Sequence, residues 1–189
     1  MSFLAQLWLP IVVSAVLVFV LSAVTHMFLP ARKTEWGRLT KEGDVQAALR
    51  GVTPGLYSFP ALSTPGERPT PEDMKRWAGG PSGWLSLVPA GPINMGRNLG
   101  LSFLVNLFVS FSVAYVATLT LGAAPLQMFP HERVVFRVVS TIGFLAYAVG
   151  PVYEGIWYWK PARSLAYGVV DALLFGLAMG GVFGWLWPR

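Results

Sequence analysis

Four predominantly apolar runs constrain this chain more than any other feature: Leu7–Leu29, Leu99–Leu121, Val134–Tyr153 and Leu165–Trp187. A helix rises about 1.5 Å per residue, so a hydrocarbon layer of roughly 30 Å needs about 20 residues to cross. The first, second and fourth runs meet that length. The third is interrupted by Arg137, but Phe136–Val152 keeps enough apolar length if the Arg137 stem lies along the helix with its guanidinium at the headgroups. With 12% charged residues, the chain is far from the roughly 25% of soluble domains. The N-terminal "MSFLAQLW" lacks Lys and Arg, and the run behind it exceeds a signal-peptide core, so it reads as a retained helix.

The expected fold is therefore an all-α membrane protein. It is a four-transmembrane-helix bundle with a Pro/Gly-rich cytoplasmic insert between helices 1 and 2 that carries short helices. Its parts are residues 1–30 as the first span, 31–97 as the insert and 98–189 as a three-helix segment.

Orientation follows from Lys and Arg. Nine of the fourteen fall in Arg32–Arg97, and Lys160 and Arg163 join them on the third loop. Opposite them stand Arg133, Arg137 and Arg189. The bias predicts loops one and three in the cytoplasm of a bacterial inner membrane, with both termini outside, in the periplasm. It also accounts for the net charge of +5, and the acids mixed through the insert argue against a nucleic-acid partner.

The insert, with eight prolines and ten glycines, reads as largely irregular. Two short helices are expected in it. Asp44 caps "VQAALR", and Thr70 caps "TPEDMKRWAGG", with Pro71 at the first helical position and Glu72 and Asp73 in the first turn. The aromatics Tyr57, Phe59, Trp77 and Trp84 suggest a small folded cap rather than a linker; a partly ordered loop is the alternative.

Two stripes of small residues mark helix contacts. Gly176, Gly180 and Gly184 repeat every four residues in the last span, and Asn98, Ser102, Asn106, Ser110, Ala114 and Thr118 do so in the second. Small residues let backbones approach where lipid removes the hydrophobic drive between helices. Either stripe could instead face another subunit. Trp8, Trp157, Tyr158, Trp159, Trp185 and Trp187 lie near span ends, where aromatics anchor at the interface.

Ionisable groups within spans are the remaining signal. By the alternation of helix directions, His26 lies about 6 Å from the cytoplasmic end of span one and Asp171 about 9 Å into span four. Glu154 and Asn106 enter the same leaflet from the other two spans. This cluster, His26, Asn106, Glu154 and Asp171, is the candidate site. Asp171, Glu154 or Asn106 is the expected partner of His26, whether for packing or for function. Asp171 stands about 140° around its helix from the glycine stripe, so it meets a different neighbour.

No chemistry beyond this is encoded in a recognisable pattern. The absence of cysteine removes thiol nucleophiles, disulfides and thiolate ligands. The two histidines fall at opposite ends of the bundle, which argues against bis-histidine haem, and no metal-ligand spacing or nucleophile elbow is present. No cofactor is expected, and no enzymatic activity.

At "THMFLP", "PAGPINMG", "WYWKP" and the terminal "FGWLWPR", and through "TPEDMKRWAGGPSGWLSLVPAGP", the chain resembles an uncharacterised family of small bacterial inner-membrane proteins. The resemblance extends over nearly the whole length and implies a four-span membrane protein. That family has no assigned activity, so it carries over no functional residues. The leading expectation is a non-enzymatic accessory or scaffold subunit whose partners are the lipid bilayer and a membrane protein or further copies of itself. The alternative is a small oligomeric transporter or proton-linked channel built on the polar cluster.

Overall fold

The computed structural model describes residues 3–63, 66, 68–122 and 131–188. Arg189, counted above among the far-side charges, lies outside them. The described residues fall into two compact units, residues 1–36 with 94–189, and residues 37–93.

The larger unit is a bundle of four long helices: α1 (Phe3–Phe28), α4 (Met95–Gly122), α5 (His131–Trp157) and α6 (Ala162–Leu186). Each is long and apolar enough to cross a membrane, and the chain is a multi-pass membrane protein on that ground. α5 extends the expected span at both ends, and α4 begins before Leu99, because helix geometry continues past the hydrocarbon into the interface. There His131, Glu132 and Arg97 are exposed.

α1 packs on α4 and α6, and α5 packs on α4 and, most extensively, on α6. The four helices thus form a ring in which α1 faces α5 across the centre. Leu7, Ile11, Val113, Ala117, Leu121, Val135, Val139, Met179 and Phe183 fill its interior toward the α1 N-terminus. Large apolar residues on the outside, among them Val16, Val20, Leu104, Phe108, Leu145 and Leu173, are what a lipid-facing surface requires.

The tightest seam is that between α5 and α6. A Cβ placed on Gly176 would come 2.7 Å from both the Ser140 carbonyl and the Phe144 amide nitrogen. On Gly180 it would collide with Ser140 Oγ and lie 2.8 Å from the Phe136 carbonyl. Only glycine lets the two backbones reach this separation. The stripe on α4 divides: Asn106, Ser110 and Ala114 are buried, whereas Asn98 and Ser102 are exposed. Ser102, expected at a helix contact, is exposed, although the adjacent Phe103 meets Phe19 of α1 edge to face.

The smaller unit holds α2 (Glu42–Ala48), β1 (Gly55–Phe59), α3 (Pro71–Gly79) and β2 (Gly83–Leu87). β1 and β2 pair antiparallel, from Gly55 opposite Leu87 to Phe59 opposite Gly83. An all-α description thus needs correction. "GLYSF" and "GWLSL" were legible only as aromatics among turns, because the pairing bridges across α3 and no two-residue turn announces it. Asp44 sits in the first turn of α2, and Lys41 takes the cap position without a side-chain bond.

α3 begins with a reciprocal capping box. Thr70 Oγ1 accepts from the Asp73 amide at 3.1 Å, and the Asp73 carboxylate accepts from the Thr70 amide at 2.9 Å. The same carboxylate, buried, accepts from the Ser63 hydroxyl at 2.7 Å and amide at 3.0 Å, and pairs with Arg76. Trp77 Nε1 donates to the Pro60 carbonyl at 2.8 Å. Asp73 therefore holds both the start of α3 and the strand of chain leaving β1.

The Ser63 hydroxyl, the Thr70 amide and Arg76 hold its carboxyl well below the usual carboxylate range. The unfolded carboxyl titrates near 3.9, so this stabilisation is complete above about pH 4 and is lost as the pH falls toward the folded value. The protection of α3 amides, taken relative to their intrinsic exchange rates, should fall on acidification below pH 4, and Asp73→Asn should abolish that dependence. Unchanged acid sensitivity in the variant would assign it to another carboxylate.

Candidate functional site

At the end of the bundle where α1 and α5 finish and α6 begins, a cleft of about 530 Å³ opens between these three helices. Its polar lining comprises His26, Arg32, Glu35, Glu154, Lys160 and Asp171, and Tyr147, Pro151, Leu165 and Phe175 supply apolar walls.

The centre of the cleft is an ion pair that the apolar-run reading missed. After α1, Pro30–Thr34 forms one 3-10 turn. This turn brings Arg32 back onto α6, so residues 30–36 belong with the bundle and not with the insert. Arg32 Nη2 pairs with Asp171 Oδ2 and donates to the Tyr167 carbonyl at 3.3 Å, while Nη1 pairs with Glu35 at 3.0 Å. The guanidinium also lies 5.1 Å from the centroid of the Tyr167 ring, on which it stacks. The Arg32 and Asp171 side chains are each only 9% exposed. A carboxylate within a membrane helix is costly unless paired, and Arg32 supplies the counter-charge with a second carboxylate behind it. The signal was present in the sequence: Arg32 lies just beyond span one, at the end where Asp171 enters, within an arginine's reach of a carboxylate one or two turns deep.

The four residues singled out from sequence are distributed differently from the expectation. Asp171 is at the centre of the cleft. His26 lines it, but its Nδ1 is within hydrogen-bond distance of the Ser22 carbonyl at 2.9 Å and Thr25 Oγ1 at 3.2 Å. The ring folds back along its own helix instead of meeting Asp171, Glu154 or Asn106, because Arg32 already occupies the carboxylate. Glu154 is exposed at the rim and pairs with Lys160. Asn106 is buried away from the cleft, where its Oδ1 accepts from the Tyr147 hydroxyl at 2.9 Å. Tyr147 thus connects the two, one face on the cleft and its hydroxyl on α4.

No family model, curated protein or solved structure matches this chain. The site must be read from its own chemistry. Among the described residues no group of three or more His, Asp and Glu could hold a metal ion. Opposite charges in the cleft are matched in place, as Arg32 with Asp171 and Glu35, and Lys160 with Glu154. Such an arrangement ties the start of α6 to the turn after α1 and the end of α5 to the loop before α6, and His26 is the imidazole in the lining.

Beyond Asn106 the polar character fades. Ser14 Oγ donates to its own helix at the Ile11 carbonyl, 3.1 Å away, and Ser110 Oγ is buried with no partner among the described residues. From Ser110 to Leu121 on α4, about 16 Å at 1.5 Å per residue, the buried residues are Val113, Ala114, Ala117 and Leu121. They face Val135, Val139, Met179 and Phe183, all essentially without exposure.

Proposed function

We propose that this protein is a non-enzymatic accessory or scaffold subunit of a bacterial inner membrane, held in one orientation and packed against membrane partners. The observation that carries this reading is the apolar layer above Ser110. A path for an ion or proton must be lined by polar groups or water, and a single bundle closed over about 16 Å mainly by buried Val, Met and Phe side chains, with Ser140 Oγ as the buried polar atom among them, offers no continuous polar line. Matched charges in the cleft support a structural use of the polar groups over a chemical one.

The test is extraction of the protein from its native membrane into lipid nanodiscs. A fixed ratio of this chain to one or more other membrane chains, in particles larger than a monomer, is the expected result. A free monomer as the main species overturns the reading.

Orientation belongs to the same proposal. The eleven Lys and Arg of loops one and three favour the cytoplasm for the insert. Cysteines introduced at Thr40 and at His131 should label from opposite sides of sealed vesicles, Thr40→Cys from the cytoplasmic side.

A second reading, a proton-linked transporter, draws on the cleft itself, which admits solvent as deep as Asp171. Proteoliposomes holding the purified chain and a pH-sensitive dye decide between them. A proton leak above that of empty vesicles, abolished by Asp171→Asn, would favour transport.

A further inference from the structure

The end of the bundle opposite the cleft carries cations of a different kind. Arg133 and Arg137 stand one helical turn apart on α5, both exposed, and neither guanidinium has an ion-pair or hydrogen-bond partner among the described residues. At the cleft, by contrast, Arg32 and Lys160 are each matched to a carboxylate of this chain. Arg137 lies six residues into α5, about 9 Å along the axis. Helical side chains lean toward the N-terminus of their helix, here toward the membrane surface, so both guanidinium groups reach the level of the headgroups. An arginine at that depth gains from an anion, and among the described residues no carboxylate lies within ion-pair distance of either guanidinium.

The two arginines border a groove of about 570 Å³ shared with α6, whose floor is glycine. A Cβ on Gly181 would meet no heavy atom within 4 Å, and on Gly184 its nearest neighbour would be the Glu132 carbonyl at 3.4 Å. α6 thus presents a trough without side chains immediately below a pair of cations, with Trp185, 80% exposed, along one side. Glu132 is the acid in the lining, so the groove carries two positive charges against one negative.

We propose that this groove binds an anionic glycerophospholipid, its phosphodiester between Arg133 and Arg137 and one acyl chain along Gly181 and Gly184. Two features select this ligand over a protein carboxylate. The cations stand at headgroup depth, and the trough continues from them into the hydrocarbon, so a molecule with an anionic head and a flexible apolar tail fits both parts at once. Lipid-facing basic pairs near the surface gain from anionic headgroups by simple Coulomb attraction.

The test uses the full chain in detergent, with dioleoyl phosphatidylglycerol, dioleoyl phosphatidylcholine or inorganic phosphate added, and reads lipid retention by native mass spectrometry together with the melting temperature. Phosphatidylglycerol should be retained and should raise the melting temperature more than phosphatidylcholine, while phosphate alone should do nothing. The double variant R133Q/R137Q should lose roughly thirty-fold in preference for the anionic lipid, the factor expected for two surface arginines. Gly181→Leu, which fills the trough without touching protein, should weaken retention with both arginines in place and leave the lipid-free melting temperature unchanged. Equal retention of the two lipids, an undiminished preference in the double variant, or a shift reproduced by phosphate alone would overturn the proposal. So would loss of a co-purifying membrane protein in R133Q/R137Q with lipid retention intact, since the cations would then serve a protein contact.

Discussion

Asp171→Ala is expected to destabilise the bundle by about 3–5 kcal/mol, the cost of leaving one member of a buried ion pair without its partner. Arg32, 9% exposed in the native bundle, would have Glu35 alone to balance it, with the Tyr167 carbonyl still drawing on its second nitrogen. Replacing both members with apolar residues of similar size, Arg32→Met with Asp171→Leu, should recover most of the loss, because the desolvation of two charges disappears together with their attraction. Resistance to unfolding by a denaturing detergent, followed by the helical signal, measures all three proteins. If the single and double variants lose the same stability, the pair contributes through side-chain packing and the electrostatic account fails.

Gly180→Leu should prevent assembly of the native bundle altogether. A first added carbon already collides with Ser140 Oγ and crowds the Phe136 carbonyl, and backbone cannot yield as the end of a flexible side chain can. Gly180→Ala isolates that first carbon and should cost about 1–3 kcal/mol, the usual range for overpacking. The neighbouring Gly181→Leu provides the control, since it adds a larger side chain where nothing lies within 4 Å. Opposite outcomes at adjacent glycines would attribute the effect to the α5–α6 seam and not to helix propensity, which is the same at both positions. Native-like melting of Gly180→Leu would mean that the two helices can separate without loss.

The long helices were readable because length against membrane thickness is a property of composition alone. Glycines at a spacing of four marked a close contact in α6, but which helix they meet depends on the ring order of the bundle, and no local pattern encodes that. The polar groups were the hardest to assign. Arg32 was read as one more flanking charge, since rules for orientation count cations without asking what each one touches. His26 drew attention as the only intramembrane histidine, yet its nearest acceptor is its own helix at Ser22, a bond that costs no assembly. β1 and β2 escaped because a five-residue strand with its partner beyond an intervening helix leaves almost no periodic trace. Asp73 is the converse case: a capping pattern in sequence revealed the start of α3, but not the second grip of the same carboxylate on Ser63.

The Arg32–Asp171 pair spans 139 residues of sequence, which has a consequence for biogenesis. At about 5–20 residues per second, roughly 7–28 s separate the emergence of Arg32 from that of Asp171. Through that interval Glu35, three residues away, is the counter-ion the nascent chain can offer, and it keeps the arginine at the water interface. When α6 enters the bilayer, Asp171 meets a cation already stationed at the correct depth. Insertion of the last helix and closure of the ring against α1 then become one event, and a nascent chain truncated before Asp171 should remain open at that edge.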